Sequence, residues 1–325
     1  MRARAFDTQA SHAHPRFEAR DEAEESVREI TAGLGAAQPS LSPKYLYDSL
    51  GSKLFEAITE LPEYYPTRTE VALLERHVGA IAEAIGPGAT LVELGAGNCE
   101  KAGRLFHALR PAQYVALDIS GDFLETALAA LRSSHPGIAM IGVAADISAG
   151  IRLPREVAKG RRLFVYLGSS IGNFDPADAC ALLADIRGQC RGGGSLLIGV
   201  DLVKSVQVLQ SAYDDPLGVT AAFNRNVLNH VNALIGSNFD VRDWSHRALF
   251  NARSSRMELY LEAEREVLVA WAQGSRHFRK GERLHTENSY KYLLEDFKDL
   301  LRDAGFGRIS AWTDERDWFA LCHAS

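Results

Sequence analysis

Ala89-Thr-Leu-Val-Glu-Leu-Gly-Ala-Gly-Asn98, followed by Val115-Ala-Leu-Asp118, is the stretch on which the fold turns. Thr90 to Leu94 is an apolar run of the kind that forms a parallel strand buried on both faces. It ends in a glycine-rich turn, after which Glu100-Lys101 opens a helix. Gly95 and Gly97 let the backbone approach a ligand with no Cβ in the way. Asp118 closes the next apolar run, where a carboxylate can accept from both hydroxyls of a ribose. The pattern points to a nucleoside-containing cofactor. A dinucleotide fingerprint asks for a third glycine at position 100, to pack helix on strand beside a pyrophosphate. This chain has Glu100 there. Glu93 before the turn and the missing glycine fit S-adenosylmethionine, which has no phosphate to cradle. A nucleotide site and a purely structural turn are the competing readings.

Outward from this core the chain alternates. Strands are predicted at 113–118, 138–143, 162–167 and 195–200, and helices at 70–85, 99–109, 121–133 and 176–189. This alternation implies an α/β fold, a Rossmann-like parallel sheet with helices on both faces. Right-handed crossovers then set Gly95, Asp118, Asp146 and Gly168 along one edge, where ligands of open α/β sheets bind. After Asp201 the pattern changes. Residues 204–238 read as helical, 240–275 as strands with turns, and 276–287 as a loop. A helix from Tyr290 to Ala304 and a hairpin of Arg308–Thr313 and Trp318–His323 resume the sheet pattern. The simplest organisation is a sheet domain of 66–203 plus 288–325, with a second α+β lobe of 21–65 plus 204–287. Residues 1–20 are expected to be mobile, and Asp21 to Leu34 to form a helix. A cleft between lobes is a usual place for a small-molecule site.

At 325 residues and 46% hydrophobic, the chain can bury one large core or two smaller ones. A net charge of −6 argues against nucleic acid as the main partner. No apolar run approaches the roughly 20 residues that span a membrane. The arginine-rich N-terminus lacks the apolar stretch of a secretory signal. Cys99, Cys180, Cys190 and Cys322 show no C-x-x-C spacing, and the histidines no H-x-x-x-H pairing, so neither a disulfide framework nor a metal is inferred. The expectation is a cytoplasmic monomer whose partner is a small molecule.

Several clusters can build the acceptor side of the cleft. Leu167-Gly-Ser-Ser-Ile-Gly-Asn173 follows a strand end, and Asn173 can donate to a carboxylate and accept from an amine; a turn-capping asparagine is the plainer alternative. Tyr213, in Ala212-Tyr-Asp-Asp-Pro216, offers a phenol for a carboxylate, with packing as the other reading. Tyr64-Tyr65 and Tyr45/Tyr47 can line a pocket or simply pack. Glu287 and Ser289 stand two apart, on one side if extended, and can grip a ring with polar nitrogens; otherwise they belong to a solvated loop.

Together these clusters resemble the histidine-specific N-alpha-methyltransferases, which use S-adenosylmethionine to trimethylate the α-amino group of L-histidine to hercynine, on the route to ergothioneine. The likeness runs from Tyr45 to the C-terminus. It is carried, in order, by Leu46-Tyr-Asp48, Leu61-Pro-Glu-Tyr-Tyr-Pro-Thr-Arg68, Glu93-Leu-Gly-Ala-Gly-Asn-Cys-Glu-Lys101, Leu167 to Asn173, Ala212 to Pro216, Phe223-Asn-Arg-Asn226 and Thr286-Glu-Asn-Ser289. The resemblance implies a class I SAM-dependent methyltransferase sheet in which Tyr47, Gly95, Lys101, Asp118 and Asp146 contact the donor, Asp118 through the ribose. It implies that Asn173 and Tyr213 hold the substrate carboxylate and amine, with the Gly168 carbonyl, Tyr47 and Tyr64 close to the amine. Glu287 and Ser289 would then select the imidazole of L-histidine and of its mono- and dimethyl forms. The family often has methionine on the strand facing the ring, where this chain has Leu259. Because a sulfonium methyl is already activated, the main task is in-line placement of a neutral amine. Tyr47 is the candidate to orient that amine or relay its proton, and no strong base is required. The alternatives are the same chemistry on another amino acid, such as tryptophan, and a SAM-binding protein without catalysis.

Overall fold

The computed structural model describes residues 15–190 and 192–325. Helix α1 (Pro15–Gly35) starts ahead of the predicted Asp21, so residues 15–20, expected to be mobile, are helical. A proline suits the first helical position, and the arginine, glutamate and alanine that follow are good helix formers. Residues 1–14 lie outside the described residues. Two helices follow, α2 (Ser49–Thr59) and α3 (Tyr65–Ile85). Asp48 caps α2 by accepting the Gly51 amide at 2.7 Å. Pro66 supplies the first turn of α3, which therefore begins before the predicted Glu70 and carries that glutamate inside, fully buried.

The predicted alternation then appears as β1 (Thr90–Leu94), α4 (Glu100–Gly103), α5 (Phe106–Leu109), β2 (Gln113–Asp118), α6 (Gly121–Ser134), β3 (Ala139–Ala144), β4 (Arg162–Tyr166), α7 (Pro176–Gln189) and β5 (Ser195–Asp201). The single helix expected at 99–109 is split, with Gly103, a poor helix former, at the break. Beyond it come α8 (Val206–Tyr213), α9 (Val219–Ile235), β6 (Trp244–Asn251), β7 (Arg256–Ala263), β8 (Val267–Trp271), β9 (Gly274–Phe278), β10 (Arg283–Tyr290), α10 (Leu294–Asp303), β11 (Ile309–Thr313) and β12 (Phe319–Ala324).

One sheet of seven strands has the order β11-β12-β5-β4-β1-β2-β3. The five strands from β5 to β3 run parallel, and β12 pairs antiparallel with both β5 and β11. β1 and β5 are buried along their whole length, as strands covered on both faces must be. Strand order reverses between β1 and β4, so Gly95 and Gly168 flank the crevice at the switch point. This is the Rossmann-like arrangement with an antiparallel hairpin at one edge. Two hydrophobic cores cover the faces of this sheet. A third gathers side chains from 30–65 and 209–284, around the antiparallel sheet β10-β7-β6 and the hairpin β8-β9. Among the described residues, no helix is long and apolar enough to cross a membrane.

The loop predicted at 276–287 is instead the end of β9 and most of β10, and Tyr290 ends β10 rather than opening a helix. Alternation is masked here because the buried positions are polar: Thr286, Glu287 and Ser289 are all buried. The pairing with β7 shifts between His285 and Glu287. Such a bulge re-aims the side chains that follow it.

Candidate active site

The donor side is built at the C-terminal ends of β1 and β2. Gly95 and Gly97 have φ of 63° and 54°, a left-handed turn that glycine adopts without strain. Asp118 secures that turn: one carboxylate oxygen accepts the Gly97 amide at 2.8 Å and the other the Ser120 amide at 2.9 Å. A carboxylate offers about four acceptor sites, so lone pairs are left for both hydroxyls of a ribose. The group fits. Burial raises the Asp118 pKa, against the lowering effect of these amides. Glu93 sits deeper, accepting the Tyr114 hydroxyl, and burial pushes its carboxyl up to about 8. Lys101 and Asp146 already have protein partners. The Lys101 ammonium is 2.7 Å from Glu70, while Asp146 takes the Lys44 ammonium at 3.0 Å and the Ser148 amide at 2.9 Å.

The acceptor side is a pocket whose empty space, open solvent at its mouth included, is about 570 Å³. Tyr47, Tyr64, Gly168, Asn173, Tyr213, Leu259, Glu287 and Ser289, far apart in sequence, all line it. Gly95, Lys101, Asp118 and Asp146 do not. Tyr47 links the two sides, since its hydroxyl lies within electrostatic reach of both Glu287 and Asp118. The walls near Tyr47 are aromatic: Phe55 and Phe223 meet its ring edge-on, with centroids at 5.6 and 5.5 Å. Burial, followed by neighbouring negative charge, holds the phenols of Tyr47, Tyr64 and Tyr213 well above their ordinary pKa, so they act as neutral hydroxyls. Glu287 is buried in the same lining, and burial lifts its carboxyl to about 7 despite the opposing charge of Lys291. Asn288 turns away, its Oδ1 2.9 Å from His285 Nε2.

The family described as histidine-specific methyltransferase, SAM-dependent, matches residues 26–325. The chain belongs to this family. A histidine N-alpha-methyltransferase of Mycolicibacterium smegmatis is 42% identical over 311 residues, 93% of this chain and 96% of that protein. Its namesake in Mycobacterium tuberculosis is 40% identical over 305 residues, 92% and 94% of the two chains. Ergothioneine biosynthesis protein 1 of Neurospora crassa is 33% identical over 277 residues, 82% of this chain but 31% of that larger protein. The match begins ahead of Tyr45, where the motif resemblance starts, and takes in the C-terminal part of α1.

Sequence reading missed the buried charges that hold this histidine-specific methyltransferase site together. Glu70 accepts the Gly168 amide on both carboxylate oxygens, at 2.8 and 2.9 Å, while pairing with Lys101. It thereby ties α4 on the donor side to the loop after β4 on the acceptor side. Asp201, at the tip of β5, pairs with Lys204 and Lys291 and accepts the Tyr65 hydroxyl. Burial pushes Asp201 up, but the two ammonium groups outweigh it and hold the carboxyl below its usual range. One signal was readable: Asp201 ends an apolar strand at the same edge as Asp118. Gly199 makes room for Glu70. An added Cβ there would lie 1.9 Å from Glu70 Oε1 and 3.0 Å from Phe319 Cε1. Glu70 is tethered and cannot swing aside, so Gly199→Ala is expected to cost about 1–3 kcal/mol or more, as overpacking does. Thermal unfolding checks this, and an unaltered Tm would show that the carboxylate moves freely.

Proposed function

We propose that the protein transfers methyl groups from S-adenosylmethionine to the α-amino nitrogen of L-histidine, three times in succession, to give hercynine. The observation that carries the reading is the placement of Glu287 and Ser289, candidates for the ring, in one pocket with Asn173 and Tyr47, candidates for the amino-acid backbone. Membership of the family supports it. The lobes follow the cores, with the later boundary at Tyr290 because β10 is one strand. We place the protein in the cytoplasm, which suits four free cysteines.

Gly95, Gly97 and Asp118, with Lys101 beside Gly168, would hold S-adenosylmethionine, which would supply an electrophilic methyl. Asn173 can donate to the substrate carboxylate and accept from its amine. Tyr47, a neutral hydroxyl, orients the amine lone pair and passes the departing proton outward. A free amino acid arrives protonated on nitrogen, so loss of that proton precedes each transfer. A quaternary nitrogen has no lone pair, and the reaction stops at three methyls.

Mass spectrometry of a reaction with histidine should show one, two and three added methyl groups; methylation of tryptophan with none of histidine would overturn the assignment. The pH profile carries a second signature. Burial lifts the Glu287 carboxyl to about 7, and the ionised form accepts a ring N–H more strongly than the neutral acid, so kcat/KM should fall more steeply as pH drops through 7. Glu287→Gln has nothing to titrate there, so its acid limb should be shallower, keeping only the slope set by the substrate's own ionisations. An identical acid limb in both proteins would take Glu287 out of ring recognition.

A further inference from the structure

Lys291 follows directly on β10, and its side chain is 0% exposed. Its ammonium has three N–H groups, and three oxygens take them: Asp201 Oδ2 at 2.9 Å, Tyr213 Oη at 2.8 Å and Ser289 Oγ at 2.7 Å. No donor is left over. An ammonium can only donate, so the bonds to Tyr213 and Ser289 each fill a lone pair on a hydroxyl oxygen and keep that hydroxyl's proton from pointing back. Tyr213 Oη and Ser289 Oγ are themselves 2.7 Å apart. One of their two protons lies between them, and the other is left to face the pocket. When a substrate opens the bond between the two hydroxyls, both protons can turn to it, because Lys291 still satisfies both oxygens.

We propose that Lys291 fixes Tyr213 and Ser289 as hydrogen-bond donors toward the substrate, and so sets which ring the pocket accepts. The inference rests on histidine methylation and deepens it. Glu287 takes a ring N–H, so Ser289 must meet a ring lone pair, and the two together read a neutral imidazole. A ring without a lone-pair nitrogen, or with both nitrogens protonated, gives Ser289 nothing to donate to. Beside it, with its hydroxyl 2.7 Å from that of Ser289, Tyr213 donates to a carboxylate oxygen. Lys291 touches no substrate itself; it is a positioning residue.

The test is a double-mutant cycle, which isolates coupling between neighbours. Lys291→Met keeps the chain length, and Asp201 retains Lys204 and the Tyr65 hydroxyl. Histidine binding is titrated calorimetrically with S-adenosylhomocysteine saturating the donor side, alongside kcat and KM. Tyr213→Phe and Ser289→Ala should each weaken histidine by at least about tenfold in the wild type but by under about threefold beside Lys291→Met. Lys291→Met alone should raise KM for histidine about tenfold or more, leaving kcat and donor affinity within about threefold. Penalties of equal size in both backgrounds would overturn the proposal and leave Lys291 a packing residue. Should Lys291→Met fail to fold, Lys291→Met combined with Asp201→Asn, which removes the buried carboxylate left short of a partner, carries the same cycle. Wild-type protein that binds and methylates a different amino acid would overturn the functional reading instead, and the Tyr213 arm run with that amino acid would still decide the role of Lys291.

Discussion

Asp118→Ala is expected to weaken S-adenosylmethionine binding about 100-fold, with little change in histidine recognition once donor is saturating. The size follows from the number of bonds lost. Hydrogen bonds to a charged group contribute about 1.5–3 kcal/mol each, and two to the ribose give roughly 3 kcal/mol at the lower limit, about 100-fold in Kd. The substitution also frees the Gly97 and Ser120 amides that Asp118 now holds, so the glycine turn loses its anchor. Calorimetric titration with the donor is the measurement. Equal affinity in the mutant would remove Asp118 from the ribose.

Glu287→Ala should lower kcat/KM for histidine by about 10- to 100-fold, the range expected for one charge-assisted hydrogen bond. Turnover of phenylalanine, expected to be poor in the wild type, should not fall with it. A site built to bond a polar ring rejects an apolar one because its own buried groups stay unpaired, and that penalty disappears with the carboxylate. Stability supplies the control. The folded carboxyl titrates at about 7, above the value of about 4.3 for an unfolded chain. The native state therefore binds more protons between those values, and stability contributed by this group falls as pH rises through that window. The mutant should show a flatter dependence of Tm on pH between about 4 and 7. Lost activity together with that flattening places the effect at Glu287 itself; lost activity with an unaltered slope points to disruption elsewhere.

The parallel sheet was legible because its strands are apolar throughout and its turns are glycine-rich, so burial and sequence pattern coincide. β10 was not legible. Its buried face consists of threonine, glutamate and serine, and a bulge interrupts the alternation, so the polarity needed for binding hid the strand. Tyr47, Asn173, Tyr213, Glu287 and Ser289 could each be named as candidates, and each had a plain packing or loop reading beside it. Glu70 and Lys291 gave no sequence signal at all. A single buried charge amid ordinary helical or strand-end residues looks the same as a solvated one until its partner is known.

The doubly wound sheet, the glycine turn beside Asp118 and the likeness to histidine methylation were legible in the chain, because each is written in local runs and spacings. Folding alone brings Tyr47, Asn173, Glu287 and Ser289 into one pocket, ties Lys101 to the Gly168 loop through Glu70, and sets the Lys291 ammonium against two hydroxyls. Those relations bring together residues from helices and strands distant along the chain, and burial, which turns a modest charge pair into a constraint, exists only once the chain is folded.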